Sequence, residues 1–135
     1  MAEGDGVPEK VAWVLVRDAA VLVTRSHGRD RFYLPGGHRE QGESDRETLV
    51  REIDEELRAA IDPDSMVYFG TFEIGEGHPD HDPFRMICYT ADHHGRLTPS
   101  REIAETAWFH YTDHTRVSAV DGLAFDALHE AGRLA

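Results

Sequence analysis

Three glutamates near the middle of the chain, Glu52, Glu55 and Glu56, have the spacing to act together. On a helix with 100° per residue they fall within an arc of roughly 100°. Carboxylates three or four residues apart repel by roughly 0.2 to 0.5 kcal/mol per pair, and these lie in the last turns, where the helix dipole is negative. A hard divalent cation with oxygen ligands would offset both penalties. Because a lone acidic helix usually faces water, the metal-site interpretation needs support from the surrounding sequence.

That support comes from the residues upstream of the acidic cluster. Gly37 is followed by five residues and Glu43, and then by seven residues and the segment REIDEE at 51–56. This order and spacing are similar to the Nudix box, G-x5-E-x7-R-E-U-x-E-E-x-G-U, in which U is aliphatic. One position departs from the box, because Arg58 stands where its late glycine would be. We therefore expect the helix to continue toward Ala60 without a sharp end.

The resemblance extends beyond the box and implies a fold and an activity. Pro35 and Gly36 lead into the box, valine-rich segments precede it, and Glu102 follows it six residues before Trp108. The implied fold is α/β, a Nudix-like α/β/α sandwich with a mixed β-sheet between helices, formed as one domain over residues 1–135. The implied reaction is the Mg²⁺-dependent hydrolysis, with Mn²⁺ as a substitute, of a nucleoside diphosphate linked to another group, by attack of water on phosphorus.

The resemblance also implies roles for individual residues. The magnesium ligands of the family, one of which can serve instead as the general base, match Glu52, Glu55 and Glu56. Arg51 would orient these glutamates through an ion pair, and Glu43 would either assist the metal or hold the loop. Gly37 would bring its backbone close to the substrate. Glu102 resembles a further metal-binding glutamate of the MutT-like branch, although an ordinary surface acid is an equal alternative.

The sequence constrains the substrate less tightly than the reaction. Family members that act on ADP-ribose or dinucleoside polyphosphates carry a proline or a tyrosine shortly after the box, and residues 74–77 here contain neither. A nucleoside triphosphate, normal or oxidised, is the first choice, and ADP-ribose or a nucleotide sugar is the second. Two other hypotheses stay open: a non-catalytic nucleotide-sensing or protein-binding module, and hydrolysis at the end of an RNA.

Composition limits the partners. The chain has 14 Lys and Arg residues against 26 Asp and Glu residues, a formal charge of -12, and this charge repels long nucleic acids. A small nucleotide is the expected partner, with a divalent cation between the two negative species. The only cysteine, Cys88, excludes an intrachain disulfide and fits a cytoplasmic location. No apolar run is long enough for a membrane span, and the family resemblance makes a homodimer a further expectation.

The elements that must position these residues follow from hydrophobic periodicity and breakers. Residues 1–10 are expected to be a flexible lead-in, and 11–16 and 20–24 to be adjacent strands joined by a tight turn. A helix is predicted over 45–60, with Ser44 and Glu47 as a capping box, and a second helix over 118–131, with Ser118 and Asp121 as a capping pair. The remaining predicted strands cover 66–74, 84–91 and 107–111.

Overall fold

The computed structural model of the chain describes residues 6–78 and 81–135. Its strands are β1 Glu9–Trp13, β2 Val16–Arg17, β3 Ala20–Ser26, β4 Gly36–Gly37, β5 Ala60–Ile61, β6 Val67–Ile74, β7 Phe84–Thr90, β8 His93–His94 and β9 Ile103–Phe109. Its helices are α1 Asp45–Leu57 and α2 Ala119–Glu130, with short 3₁₀ helices at Pro63–Ser65 and Tyr111–Arg116. In the described ranges, no helix has the length and apolar character to cross a membrane.

The strands form three hydrogen-bonded groups. A four-stranded mixed sheet has the order β4-β1-β7-β6, in which β1 and β7 run parallel and the other neighbours are antiparallel. A three-stranded antiparallel sheet has the order β2-β3-β9, and β5 pairs with β8. The mixed sheet brings β4 beside β1, and this pairing fixes the glycine turn that precedes α1.

The two helices cover opposite faces of the strands. Along β1, Val11 and Trp13 pack in the same cluster as Leu49, Ile53 and Leu57 of α1. The alternate residue of β1, Ala12, packs in the other cluster with Phe125 and Leu128 of α2. Because successive side chains of a strand point to opposite faces, buried strands of this kind are apolar on both sides. The α/β/α sandwich with a mixed sheet between helices is confirmed.

The first predicted strand pair is only partly correct. The segment 11–16 is divided: β1 joins the mixed sheet, whereas β2 forms the tight hairpin with β3 through Asp18 and Ala19, both with positive φ. The segment 11–16 is apolar throughout, so its hydrophobicity does not show where the chain passes from one sheet to the next. The predicted flexible lead-in over residues 1–10 is also too long, since β1 begins at Glu9. Residues 1–5 of that segment lie outside the described part of the chain.

The acidic helix begins as predicted but ends earlier. Ser44 Oγ accepts a hydrogen bond from the Glu47 N–H at 3.1 Å, and the Glu47 carboxylate accepts one from the Ser44 N–H at 3.0 Å, so the capping box is present. The expected continuation toward Ala60 is wrong. Arg58 adopts the left-handed conformation, with φ 57°, and its N–H donates to the Asp54 carbonyl at 3.0 Å. Arg58 thus adopts the left-handed conformation at the position where the box has glycine. A residue with a side chain is strained in this conformation, whereas glycine is not.

Two further boundaries differ from the predictions. Strand β9 begins at Ile103, four residues before the predicted start. The prediction missed these residues because polar side chains such as Glu105 occupy the exposed positions of the strand and interrupt the apolar run. Helix α2 begins at the predicted place, but Ser118 makes no side-chain cap hydrogen bond. Its hydroxyl donates to the Asp121 carboxylate, whose other oxygen accepts the Leu34 N–H at 2.9 Å. Asp121 therefore ties α2 to the segment before the glycine turn.

Glu9 at the start of β1 joins the mixed sheet to the loop before α1. Its carboxylate pairs with Arg39 at 2.5 Å and Arg85 at 2.6 Å, and Arg39 also pairs with Asp45 of α1 at 2.5 Å. Hydrogen bonds from Arg39 and then Arg85 lower the pKa of Glu9 below its ordinary 4.5. The charged form of Glu9 is therefore the form that the fold stabilises.

We predict that Glu9→Gln lowers the free energy of unfolding by about 1 kcal/mol at pH 7, because Arg39 and Arg85 each lose one of their charged partners. Since the pKa is lowered in the folded state, this contribution is complete above pH 4.5 and is lost as the pH falls through the folded value. Urea unfolding at several pH values should therefore show the difference between wild type and variant shrinking below about pH 5. A difference that stays constant down to about pH 3 would contradict this assignment.

Candidate metal and substrate site

The glycine turn is built for close approach, and its two glycines are needed for different reasons. Gly36 has φ 143°, and a Cβ there would lie 2.0 Å from the Val11 carbonyl oxygen of the neighbouring strand. At Gly37 a Cβ would lie 2.3 Å from Cδ of Glu52. Gly36 is therefore required for strand pairing, whereas Gly37 leaves the space that the Glu52 carboxylate occupies. The predicted role of Gly37 toward the substrate stays a prediction.

Three of the predicted metal ligands lie together. Carboxylate oxygens of Glu52, Glu56 and Glu102 all lie within 4.8 Å of one another. Glu52 and Glu56 are one turn apart on α1. Glu102, which directly precedes β9, places its carboxylate beside theirs. Glu102, for which the sequence left both a metal ligand and a surface acid open, therefore lies beside Glu52 and Glu56. Among the described residues, this is the only group of three or more His, Cys, Asp or Glu side chains with metal-binding geometry.

Glu56 is the most confined of the three carboxylates. It is 5% exposed, and one oxygen accepts the Gly36 N–H at 3.3 Å. Burial raises the pKa of Glu56 to about 8, with Glu52 and Glu102 raising it further, while the charge of Lys10 and the Gly36 hydrogen bond act in the opposite direction. Negative charge is therefore costly at this position, and a cation placed among the three carboxylates would reduce that cost.

Arg51 and Glu43 hold the edge of the cluster. The Arg51 guanidinium donates to both Glu43 oxygens, at 2.7 and 2.9 Å, to Glu52 at 3.0 Å and to the His38 carbonyl at 3.1 Å. Glu43 also accepts from Thr48 Oγ1 at 2.9 Å, and its pKa is lowered to about 2, chiefly by Arg51. The sequence left two roles open for Glu43, assisting the metal or holding the loop, and these contacts fit the second.

Glu55 lies apart from the three grouped carboxylates. Its carboxylate is 3.6 Å from the Arg51 guanidinium, and it lines a separate small cavity with Asp54, Arg58 and Arg101. Its place on the same helix edge as Glu52 agrees with the sequence argument, but its oxygens are not within the 4.8 Å group. Its role as a ligand or base therefore stays a prediction.

The carboxylate cluster faces a cavity that opens beside a larger one. The smaller cavity has a volume of about 310 Å³ and is lined by Glu52, Glu56 and Glu102 together with the glycine turn. We call it the metal cavity because the candidate metal ligands line it. The larger cavity, of about 760 Å³, lies between the loop 26–31, the start of α2 and the segment around Phe84. Its size is within the range of ordinary ligand pockets. Basic side chains on its walls include Lys10, Arg29 and Arg31.

Lys10 is a site residue that the sequence did not reveal, because it falls in the predicted flexible lead-in. Lys10 lies in β1 and lines both cavities. Two signals could have drawn attention to it: it is the only lysine among the 135 residues, and it directly precedes the predicted strand 11–16. His38, which occupies an unspecified position of the box, also lines both cavities.

Solved structures share this arrangement of strands and helices. A MutT NUDIX hydrolase from Burkholderia pseudomallei superposes with a TM-score of 0.73 at 17% identity, over 92% of this chain and 99% of that one. A NUDIX hydrolase from Nitrosomonas europaea gives 0.73 at 19% identity, covering 95% and 91%. The ORF135 protein of E. coli gives 0.70 at 23% identity, covering 96% and 97%. At these identities the likeness establishes the fold. No curated protein matches the sequence.

The match to a family model identifies the class of protein, a hydrolase that acts on pyrophosphate bonds. The NUDIX domain family model matches residues 7–127, which is most of the chain. The chain therefore belongs to the Nudix family, and the recognition made from the box is confirmed.

We predict opposite consequences for alanine at the two turn glycines. Gly37 does not have a positive φ, and the Glu52 carboxylate can swing away, so Gly37→Ala should fold normally but lose about 10- to 100-fold in kcat/KM. Gly36→Ala meets the backbone of β1 and should lower stability by about 2 to 4 kcal/mol. Thermal unfolding and hydrolysis assays on both variants test this pair. Unchanged activity in Gly37→Ala would show that the position of Glu52 is unimportant.

Proposed function

We propose that this protein hydrolyses a nucleoside triphosphate, normal or oxidised, with magnesium held by Glu52, Glu56 and Glu102. The observation that carries the proposal is that these carboxylates face a small cavity, which shares a wall with a larger cavity of nucleotide size. Family membership supplies the reaction class, hydrolysis of a pyrophosphate bond. The assignment of the ligands and of the substrate is ours.

The donor set fits magnesium. All three side chains offer carboxylate oxygens, which hard divalent cations prefer, and their crowding makes the cluster unfavourable without a positive charge. When bound, the ion neutralises the diphosphate oxygens and lowers the pKa of the attacking water. Arg51 holds Glu52 in place through its 3.0 Å hydrogen bond. Glu55, on the same edge of α1, is our candidate for the general base or for a ligand of a second ion.

The larger cavity offers basic and aromatic side chains that a nucleotide can use. Lys10, Arg29 and Arg31 lie on its walls, together with the acidic Asp82, Glu102 and Asp121. Tyr33 and Phe84 on its walls offer aromatic surface for a nucleobase. A phosphate chain directed toward the carboxylate cluster, with the nucleoside in the larger cavity, uses both features.

The second candidate substrate is ADP-ribose or a nucleotide sugar, which also carries a nucleoside diphosphate and fits the same volume. The triphosphate is preferred because its longer phosphate chain makes better use of the basic side chains. The net charge of -12 favours a small substrate over an RNA end. Homodimer formation, a cytoplasmic location and a single domain over 1–135 stay predictions from the sequence.

We predict that Glu56→Gln and Glu55→Gln each lower turnover at least about a hundredfold, because each removes a charge on which the reaction depends. The assay measures phosphate and pyrophosphate release from nucleoside triphosphates, oxidised nucleotides, ADP-ribose, sugar nucleotides and dinucleoside polyphosphates, with and without Mg²⁺. Glu130→Gln, an exposed charge change at the end of α2, is the matched control and should behave as wild type.

Magnesium-dependent release from triphosphates, lost in Glu56→Gln and retained in Glu130→Gln, is the expected result. Preferential turnover of ADP-ribose or a sugar nucleotide would replace the first substrate class with the second. No turnover of any compound by a folded wild-type protein would favour the non-catalytic sensing module. Wild-type turnover in both Glu55→Gln and Glu56→Gln would refute the assigned residues.

A further inference from the structure

Five residues line both the metal cavity and the larger cavity, so they lie at the boundary between the two. They are Lys10, Ser26, Tyr33, His38 and Glu102. Lys10 is the one lysine or arginine among the five. A phosphate chain that reaches from the larger cavity to the grouped glutamates must pass this boundary.

Lys10 is held in place from two sides. Its backbone lies in β1, opposite Met86 of the parallel strand β7. Its Nζ donates to the Leu34 carbonyl at 2.6 Å and lies 5.6 Å from the centroid of the Tyr33 ring. An ammonium has three N–H donors, and within the described residues only this one acceptor contacts Nζ. Two donors therefore remain for another partner.

The charges around Lys10 suggest what that partner is. Lys10 lines the same cavity as Glu52, Glu56 and Glu102, where magnesium would bind a phosphate chain. A polyphosphate chain carries more negative charge than one divalent cation neutralises, so a second positive group beside the chain is favourable. An ammonium point charge with free N–H groups is a common phosphate-binding group.

We propose that Lys10 binds the phosphate chain of the substrate at the boundary between the two cavities and so selects substrates with a polyphosphate chain. This inference rests on the proposed function and adds a binding residue that lies outside the family box. The alternative role is that Lys10 only neutralises the glutamate cluster. The two roles differ in what they change: substrate binding at saturating metal in the first case, and metal binding in the second.

The first test uses the wild-type protein, because Lys10 carries its only side-chain amine. Acetylation with an amine-specific reagent, mapped by mass spectrometry, separates Lys10 from the N-terminal amine. The probe is α,β-methylene ATP with Mg²⁺, and Mg²⁺ alone is the control. We expect the probe to slow acetylation of Lys10 at least about fivefold beyond Mg²⁺ alone, because bound phosphate covers the amine.

Calorimetry on the same samples shows whether the probe binds. Binding without protection of Lys10 would overturn this inference and leave the proposed function intact. If neither calorimetry nor acetylation shows an effect of the probe, both the inference and the triphosphate assignment are wrong.

The second test is kinetic and compares Lys10→Met, Lys10→Arg and the control Arg46→Met, which removes an exposed positive charge on α1. At saturating Mg²⁺, Lys10→Met should raise KM for the triphosphate at least about tenfold, and Lys10→Arg should restore most of that loss. Arg46→Met should match wild type. An unchanged KM together with a changed Mg²⁺ dependence in Lys10→Met would show that Lys10 only neutralises the glutamates. Thermal unfolding of each variant checks the fold, and the acetylation result decides the question if Lys10→Met does not fold.

Discussion

Three carboxylates placed within 4.8 Å of one another, one of them almost fully buried, are the arrangement around which this molecule is organised. Such a group is unfavourable alone, since each negative charge raises the cost of the next and burial removes the water that would screen them. The raised pKa of Glu56 expresses that cost. The protein can hold the arrangement only because the backbone around it is fixed by independent interactions.

Those interactions come from opposite sides of the cluster. Strand pairing with β1 fixes the glycine turn, whose lack of side chains leaves room for Glu52. The capping box sets where α1 begins, and the ion pair between Arg51 and Glu43 links the helix to the preceding loop. The apolar face of α1 packs on β1 and β3. The site is thus attached to the same core that stabilises the sandwich, so its geometry and the stability of the fold depend on the same packing.

The sequence predicted the parts of this structure that rest on local spacing. The box, the capping box of α1 and the α/β class were all accessible, because helical periodicity and motif intervals are local properties. Long-range pairings were not: hydrophobic runs do not reveal that β1 is separate from the β2–β3 hairpin and pairs with β7. The end of α1 was missed because Arg58 adopts a left-handed conformation unusual for its residue type. Lys10 was missed because strand register, which no local pattern specifies, brings it to the boundary between the cavities.

The binding of a divalent cation by Glu52, Glu56 and Glu102 together can be measured without any substrate. Electron paramagnetic resonance of added Mn²⁺ reports the free ion directly, and competition with Mg²⁺ shows whether the site accepts both. Glu102→Gln changes an exposed side chain and should leave the fold intact. We expect Glu102→Gln to weaken Mn²⁺ binding at least about tenfold and Glu130→Gln to leave it unchanged. Equal Mn²⁺ affinity in wild type, Glu102→Gln and Glu56→Gln would contradict this expectation.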